Sequence, residues 1–207
     1  MRFIMRMLSV AFWVFILGCS RGGVSISDLR DGDLLFIVNE STNNITAVTC
    51  GVDGLGIDHV AIFAEGNVIE AIPERGVVEI PLDSFLFRLS EKEAVLVGRV
   101  DGLDVRTSLG NARGFIGLPY DDIFMPSDSA IYCSELVQKS FVFKVMDGIG
   151  SVFGTIPMSF HDSTGNVTEF WTRFYALRGL SVPEGAPGTN PGQLSRDPDV
   201  KIVGYLK

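Results

Sequence analysis

The sequence is poor in the residues that mark several large classes of protein. Its 207 residues include 17 lysines and arginines against 25 aspartates and glutamates, which gives a formal net charge of −8. Nucleic-acid-binding proteins need a basic surface, so this composition argues against nucleic acid as a partner. Charged residues make up only 20% of the chain, whereas apolar residues make up 46%, enough for one packed domain. No internal repeat is visible.

Histidine and cysteine are also scarce. The only histidines are His59 and His161, and the three cysteines are Cys19, Cys50 and Cys133. Because these residues lack a recognisable zinc-ligand spacing, we expect no metal and no other cofactor. Three cysteines are too few for a disulfide framework. In an exported protein, a single disulfide between Cys50 and Cys133 is an alternative.

The N-terminal segment has the features of a bacterial lipoprotein signal peptide. Two arginines precede an apolar run over residues 7–17, which is too short for a comfortable membrane span. The run ends in ILGC, which resembles a lipobox and implies lipid attachment to Cys19. We therefore expect a signal peptide over residues 1–18 and one domain over residues 19–207. The lipid would hold that domain at the inner or outer membrane of the cell envelope. An ordinary signal peptide or a short anchor is the alternative.

Apolar periodicity predicts an α+β domain. Strands are predicted at LLFIV, at both arms of HVAIFAEGNVIEAI, at GVVEI, at AVLVGRV and at VKIVGY. Helices are predicted before Gly51, at DVRTSLGNARGF, from about Cys133 to Val145, and at VTEFWTRFYALRG. Helices flanking a mainly antiparallel sheet are the expected architecture. The Pro/Gly-rich tail over residues 183–198 should be irregular, and we expect it to cover the active site.

The hairpin HVAIFAEGNVIEAI brings a histidine and a carboxylate together. His59 shares a strand face with Ala61 and Phe63. If the loop has two residues, Glu70 lies on that same face, at most a short diagonal from His59, whereas a three-residue loop would separate them. A packed strand histidine is the commoner case. However, a carboxylate in an apolar strand is costly to bury without a partner, and it could support the charge of the imidazole.

Cys133 stands at the start of its predicted helix, with Asp128 or Ser129 as a candidate N-cap. A helix N-terminus favours a thiolate, and its free N–H groups can stabilise an oxyanion. A cysteine buried on the apolar face of the helix is the alternative. Because His59 and Glu70 supply a base and its partner, the sequence favours a nucleophile.

The order of these motifs resembles a known family. GLPYDD followed by YCSELV is similar to the signature of NlpC-type cell-wall cysteine peptidases, in which the cysteine precedes the histidine. Here DGDLLF and DHVAIF come before the cysteine, as in the circularly permuted YiiX/YaeF-like papain-like amidases. The resemblance runs from about Asp31 to Tyr205 and implies a circularly permuted papain-like, NlpC-type fold. It also implies Cys133 as nucleophile, His59 as general base and Glu70 as the residue that orients the base.

The resemblance further implies two substrate-binding tyrosines. Tyr120 would supply a hydroxyl or line the pocket. The equally weighted alternative is that Tyr120 is a core residue that precedes a turn. Tyr132 stands where the cell-wall peptidases have an aspartate associated with a peptide's free amine, and Glu135 stands where they have glycine. These departures weaken the case for a stem-peptide substrate and leave the reaction class unchanged.

The sequence thus predicts an extracytoplasmic, lipid-anchored cysteine hydrolase. It would cleave an amide bond in a small peptide or peptidoglycan fragment through a thioester acyl-enzyme. The alternatives are a thioesterase or acyltransferase acting on ester or lipid substrates, a non-catalytic binding lipoprotein, and a structural lipoprotein. We expect Cys50 to be structural, and we rank His161, in an exposed loop, well below His59 as the base.

Overall fold

The computed structural model describes residues 22–125, 127, 129–145 and 148–207. The predicted signal peptide, the predicted lipidation site Cys19 and the candidate cap Asp128 lie outside these residues. Within the described part of the chain, no helix is long and apolar enough to cross a membrane.

The described chain forms eleven strands and five α-helices. The strands are β1 (Gly23–Val24), β2 (Leu34–Asn39), β3 (Ile57–Ala64), β4 (Asn67–Ile72), β5 (Gly76–Pro81), β6 (Glu93–Val100), β7 (Val142–Val145), β8 (Gly148–Ser151), β9 (Ile156–Pro157), β10 (Pro187–Gly188) and β11 (Val200–Leu206). The helices are α1 (Leu82–Phe87), α2 (Val105–Gly114), α3 (Cys133–Ser140), α4 (Glu169–Ala176) and α5 (Pro191–Ser195).

Seven strands make the central sheet, in the order β1-β11-β6-β2-β3-β4-β5. All neighbouring pairs are antiparallel except β1 and β11, which are parallel. Two small antiparallel pairs, β7 with β8 and β9 with β10, lie outside this sheet. The α+β prediction with a mainly antiparallel sheet is therefore confirmed.

Alternate side chains of the central strands fill two cores on the two faces of the sheet. Leu34 and Phe36 of β2 belong to the core that includes residues of α2, α3 and α5, whereas Leu35 of β2 packs with Leu82 and Phe85 of α1. A third, smaller core lies apart from the sheet. We call it the aromatic cluster, and it consists of Met158, Phe160, Trp171 and Tyr175.

Three segments differ from their predicted structure. The helix predicted to reach Val145 ends at Ser140, because residues 142–145 pair with β8. No helix forms before Gly51; the side-chain oxygen of Asn43 instead accepts hydrogen bonds from the N–H groups of the second and third residues after it, which stabilises turns. The tail, predicted to be irregular, contains α5, which begins with Pro191 and is capped by Asn190.

Candidate active site

A β-bulge in β3 carries the histidine. Ile37 of β2 pairs with His59, whereas the next residue, Val38, pairs with Ile57, so Asp58 is an extra residue in the ladder. Bulges bend a strand and re-aim its side chains, and they are frequent beside active sites. The bulge therefore sets the direction of two consecutive polar side chains, Asp58 and His59.

The β3–β4 hairpin brings Glu70 to the histidine. Its loop has two residues, Glu65 and Gly66, both with positive φ as a type I′ turn requires. Nε2 of His59 lies 3.0 Å from Oε2 of Glu70, and the Glu70 side chain is completely buried. The sequence leaves the loop length open; it is the two-residue case, and the pairing of His59 with Glu70 that this case implies is confirmed.

Glu70 also has a second partner that the sequence did not reveal. Arg88, the residue after α1, donates a hydrogen bond to Oε1 of Glu70. Burial alone would raise the pKa of Glu70. The hydrogen bonds and positive charges of His59 and Arg88 outweigh burial and lower this pKa below its ordinary value. The buried carboxylate is therefore ionised and held at both oxygens.

Cys133 is the first residue of α3, as predicted, and its side chain is 4% exposed. The N-cap is Tyr132, which makes no side-chain capping bond, so the prediction of Ser129 as cap is wrong. Ser129 bonds to Ser127 instead, because the chain between it and the helix is extended rather than turned. The N–H groups of the first turn have no acceptor within the helix, which leaves them available to an oxyanion.

The imidazole of His59 lies close enough to Cys133 for the two groups to interact electrostatically. Since Nε2 of His59 contacts Glu70, Nδ1 is the ring nitrogen left to face the sulfur. Burial opposes a charge on the imidazole. The interactions with Cys133 and Glu70, including their negative charges, outweigh burial and raise the pKa of His59 to about 10. The geometry thus favours an imidazolium between two acidic groups.

A narrow cleft opens beside Cys133. Most of its lining is apolar or aromatic, and the two predicted substrate-binding residues, Tyr120 and Tyr132, both line it. The apolar part of the lining comprises Ile45, Val48, Phe124, Met158, Phe160, Trp171 and Pro191. The aromatic cluster therefore faces the thiol across the cleft.

The two tyrosines have different environments. Burial, followed by the negative charge of Cys133, raises the pKa of Tyr120, so its hydroxyl stays protonated beside the thiol. Burial raises the pKa of Tyr132 to about 12, and its hydroxyl accepts a hydrogen bond from the N–H of Thr189 at 3.0 Å. Tyr132 is therefore tied to the tail, whereas Tyr120 is placed to contact a substrate.

The Pro/Gly-rich tail forms part of the cleft wall. Thr189, Asn190 and Pro191 line the cleft, and the hydroxyl of Thr189 donates to Ser134, the residue after the thiol, at 3.1 Å. Three residues of the tail therefore lie beside Cys133, and the expectation that the tail covers the active site stays a prediction.

The remaining predicted residues lie elsewhere. Glu135 is buried and ion-paired with Lys139 at 2.9 Å, and both line a separate cavity. His161 is half-buried, contacts Glu184 at 3.2 Å and lines another cavity together with Cys50. Cys50 is exposed and Cys133 is buried, and both are free, so the disulfide alternative is wrong.

Comparison with known proteins identifies the family. Residues 28–204 match the family described as permuted papain-like amidase enzyme, YaeF/YiiX, C92. The chain belongs to this family of permuted papain-like amidases. The predicted resemblance and the predicted permuted papain-like fold are thereby confirmed, and membership supports a cysteine hydrolase activity of the amidase type.

A solved structure has the same fold. The crystal structure titled metalloprotein yiiX, from Escherichia coli O157:H7, superimposes with a TM-score of 0.65 at 24% sequence identity. The match covers 84% of this chain and 96% of that chain. No curated protein matches the sequence.

The word metalloprotein in that title raises the question of a metal here. Among the described residues, no group of three or more histidine, cysteine, aspartate or glutamate side chains is placed to hold a metal ion. Nε2 of His59 is already bonded to Glu70, and Glu70 is bonded at both oxygens. The residues at this site therefore do not fit a metal, and no step of the chemistry below uses one.

Proposed function

We propose that the chain is a cysteine hydrolase that cleaves an amide bond in a small peptide or peptidoglycan fragment, with Cys133, His59 and Glu70 as its triad. The observation that carries this proposal is the series formed by Cys133 at the start of α3, the imidazole of His59 beside it and the buried carboxylate of Glu70, to which His59 is hydrogen-bonded. In a chain of the permuted papain-like amidase family, that series matches the needs of nucleophilic catalysis.

The reaction follows from the roles that these contacts allow. His59 takes the proton of Cys133, and the thiolate attacks the carbonyl carbon of the amide. The backbone N–H of Cys133 donates to the oxyanion. The C–N bond then breaks, the amine leaves with the proton from His59, and a thioester remains on Cys133. Water, deprotonated by His59, cleaves the thioester, releasing the carboxylic acid and restoring the thiol.

Glu70 and Arg88 support this cycle without contacting the reacting atoms. The Glu70 carboxylate fixes the orientation of the His59 ring and offsets its positive charge. Arg88 keeps that carboxylate ionised and oriented, since it occupies the second oxygen. We therefore assign Glu70 and Arg88 as positioning residues.

The proposal includes a place in the cell. The arginines, the short apolar run and the ILGC sequence support a lipid on Cys19 that anchors the enzyme in the bacterial cell envelope, outside the cytoplasm. The test is incorporation of labelled fatty acid by the full-length chain in bacteria. We expect label and membrane association in the wild type and loss of both in Cys19→Ser. Equal labelling of the two proteins would contradict this part.

One observation favours a second candidate, a thioesterase or acyltransferase. The cleft beside Cys133 is lined mainly by apolar and aromatic side chains, which suits an apolar acyl group. The same acyl-enzyme serves amides, esters and thioesters, so the two candidates differ only in the leaving group.

A matched substrate panel separates these candidates and tests the chemistry. Purified mature protein is incubated with a p-nitroanilide, a p-nitrophenyl ester and a thioester that share one acyl group. We expect hydrolysis, an acyl mass adduct on the peptide that contains Cys133, and a loss of at least ~10³-fold in Cys133→Ser. Cys50→Ser is the control and should keep full activity. Hydrolysis at an equal rate in wild type and Cys133→Ser would overturn the proposal.

A further inference from the structure

The cleft beside Cys133 has one charged side chain in its wall apart from the reacting groups. Within the described part of the chain, every lining residue other than Cys133 and Asp58 is apolar, aromatic or a neutral polar residue. Asp58 is the bulged residue of β3 and directly precedes His59. A single negative charge is therefore built into a mainly apolar cleft, one residue from the base of the triad.

Two amides hold the Asp58 carboxylate without neutralising it. Nδ2 of Asn39 donates to Oδ2 of Asp58 at 3.3 Å, and Nδ2 of Asn43 donates to the same oxygen. Asn43 is itself fixed, since its Oδ1 accepts from the N–H groups of Ile45 and Thr46. The hydrogen bonds orient the carboxylate and lower the cost of its partial burial, while its charge remains.

Oδ1 of Asp58 has no hydrogen-bond or ion-pair partner within the described ranges, and no lysine or arginine lines the cleft there. A carboxylate surrounded by apolar walls acts at lower dielectric than one on the open surface, so it attracts a cation more strongly. The site is therefore complementary to a positively charged group that enters the cleft with the substrate.

We propose that Asp58 binds a primary ammonium group of the substrate. The preferred substrate would then combine an apolar portion, which contacts the aromatic cluster, with a free amine close to the scissile bond. This inference rests on the proposed function for its substrate class, because Cys133 must attack a carbonyl group of the same molecule. Asp58 would be a specificity residue, with no part in bond breaking.

The first test measures the charge preference of Cys133 and needs no substrate. In Cys50→Ser protein, Cys133 is labelled with the cationic 2-aminoethyl and the anionic 2-sulfonatoethyl methanethiosulfonates, and the rate ratio is compared between variants. We expect Asp58→Asn to lower the cationic-to-anionic ratio by about 10-fold, the size of one charge-assisted hydrogen bond. Asn is isosteric and can still accept from Asn39 and Asn43.

Two controls separate Asp58 from the overall negative charge of the protein. Glu91→Gln removes one exposed negative charge that does not line the cleft and should leave the ratio unchanged. The exposed Cys50, labelled in Cys133→Ser protein, reports the general preference for cations. If the cationic-to-anionic labelling ratio were no higher at Cys133 than at Cys50, the inference would be overturned. This comparison holds even if Asp58→Asn fails to fold.

The second test uses a substrate pair. Leucine p-nitroanilide and its N-acetyl derivative differ only in the charged amine. We expect Asp58→Asn to lower kcat/KM about 10-fold for the free amine and to leave the acetylated substrate unchanged. Asp58→Glu, which keeps the charge, should retain the preference. Equal effects on both substrates would overturn the inference while leaving the proposed hydrolase intact. If neither substrate were cleaved but the labelling ratio still depended on Asp58, the hydrolase would fail and charge recognition would stand.

Discussion

The two walls of the cleft are built in different ways. One wall carries Cys133, with His59 and Glu70 behind it, on α3, β3 and β4, where strand pairing and a helix start fix each position. The opposite wall is the aromatic cluster, carried by short strands, turns and α4. Reacting groups thus lie on regular elements, whereas the surface that would meet a substrate lies on connecting segments, which can change without disturbing the chemistry.

The forces that hold the two walls also differ. The reactive wall depends on hydrogen bonds between charged groups around one buried carboxylate. The aromatic wall depends on edge-to-face ring contacts, such as Phe160 against Trp171 at 5.2 Å between centroids. Two hydrogen bonds connect the aromatic wall to neighbouring loops. The indole N–H of Trp171 donates to the backbone carbonyl of Asn44, and the hydroxyl of Tyr175 donates to the backbone carbonyl of Ile123. Changes to one wall should therefore leave the other wall largely intact.

Trp171→Ala is expected to have the largest effect on stability. Trp171 is 4% exposed and contacts five other aromatic rings of the wall or its neighbourhood, so its loss leaves a cavity. We expect a loss of about 3 kcal/mol in the free energy of unfolding, measured by urea titration. The pH dependence of Cys133 alkylation should stay unchanged in the folded variant. A changed alkylation profile would mean that the two walls are not independent.

Glu70→Gln is the converse change, made in the reactive wall. The amide keeps the size of the side chain but cannot offset the charge of His59, so we expect kcat to fall by about 10²-fold. KM for an apolar substrate should change little, because the aromatic wall is untouched. Arg88→Gln should produce a smaller loss in the same direction, and Arg88→Lys should restore part of it. A rise in KM with unchanged kcat would contradict this assignment.

The reactive wall should make stability depend on pH through His59 and Glu70. Because folding lowers the pKa of Glu70, the Glu70 carboxylate stabilises the folded protein fully at pH values above the ordinary pKa of glutamate. This stabilisation is lost as the pH falls through the pKa that Glu70 has in the folded protein. Folding raises the pKa of His59 to about 10, so protonated His59 stabilises the folded protein. This stabilisation is fully present below pH ~6.5 and is lost as the pH rises towards 10. The free-energy difference between wild type and Glu70→Gln should therefore be largest between about pH 5 and 6.5.

Trp171→Phe is the matched control for this pH series, since it changes the aromatic wall without changing any titrating group. Its free-energy difference from wild type should stay constant between pH 4 and 10. If the Glu70→Gln difference were equally constant, the charged His59–Glu70 pair would be excluded.

The smallest effect is expected where the tail joins the reactive wall. Tyr132→Phe removes the hydroxyl that accepts the N–H of Thr189 and leaves that buried N–H without a partner. We expect a loss of about 1–2 kcal/mol in the free energy of unfolding. Urea titration measures it, with Tyr205→Phe, on β11 away from the cleft, as the control. A larger loss from the control would show that the tail contact contributes little.

The reactive wall was predictable because its geometry is local. A two-residue hairpin loop and the period of two in β-strands were sufficient to place Glu70 beside His59. The start of α3 at Cys133 followed from apolar periodicity. That periodicity did not predict the end of the helix, because the pairing of β7 with β8 overrides it.

The other parts of the site depend on long-range contacts that leave no pattern in the sequence. Arg88 lies 18 residues from Glu70, at the end of a helix where an arginine is usually solvated. The bulge that turns Asp58 towards the cleft is a register shift between β2 and β3, which apolar alternation does not reveal. The aromatic cluster packs against side chains of segments that run from Ile45 to Ala186, so only the folded chain brings this wall together.

The most direct test of the central claim is the pH dependence of Cys133 alkylation by iodoacetamide. The measurement uses Cys50→Ser protein and compares it with added His59→Ala or His161→Ala. We expect rapid alkylation well below pH ~8.5, the ordinary value for a free thiol, and loss of this reactivity in His59→Ala alone. Slow alkylation that rises only above that pH, or an unchanged profile in His59→Ala, would contradict the thiolate–imidazolium pair.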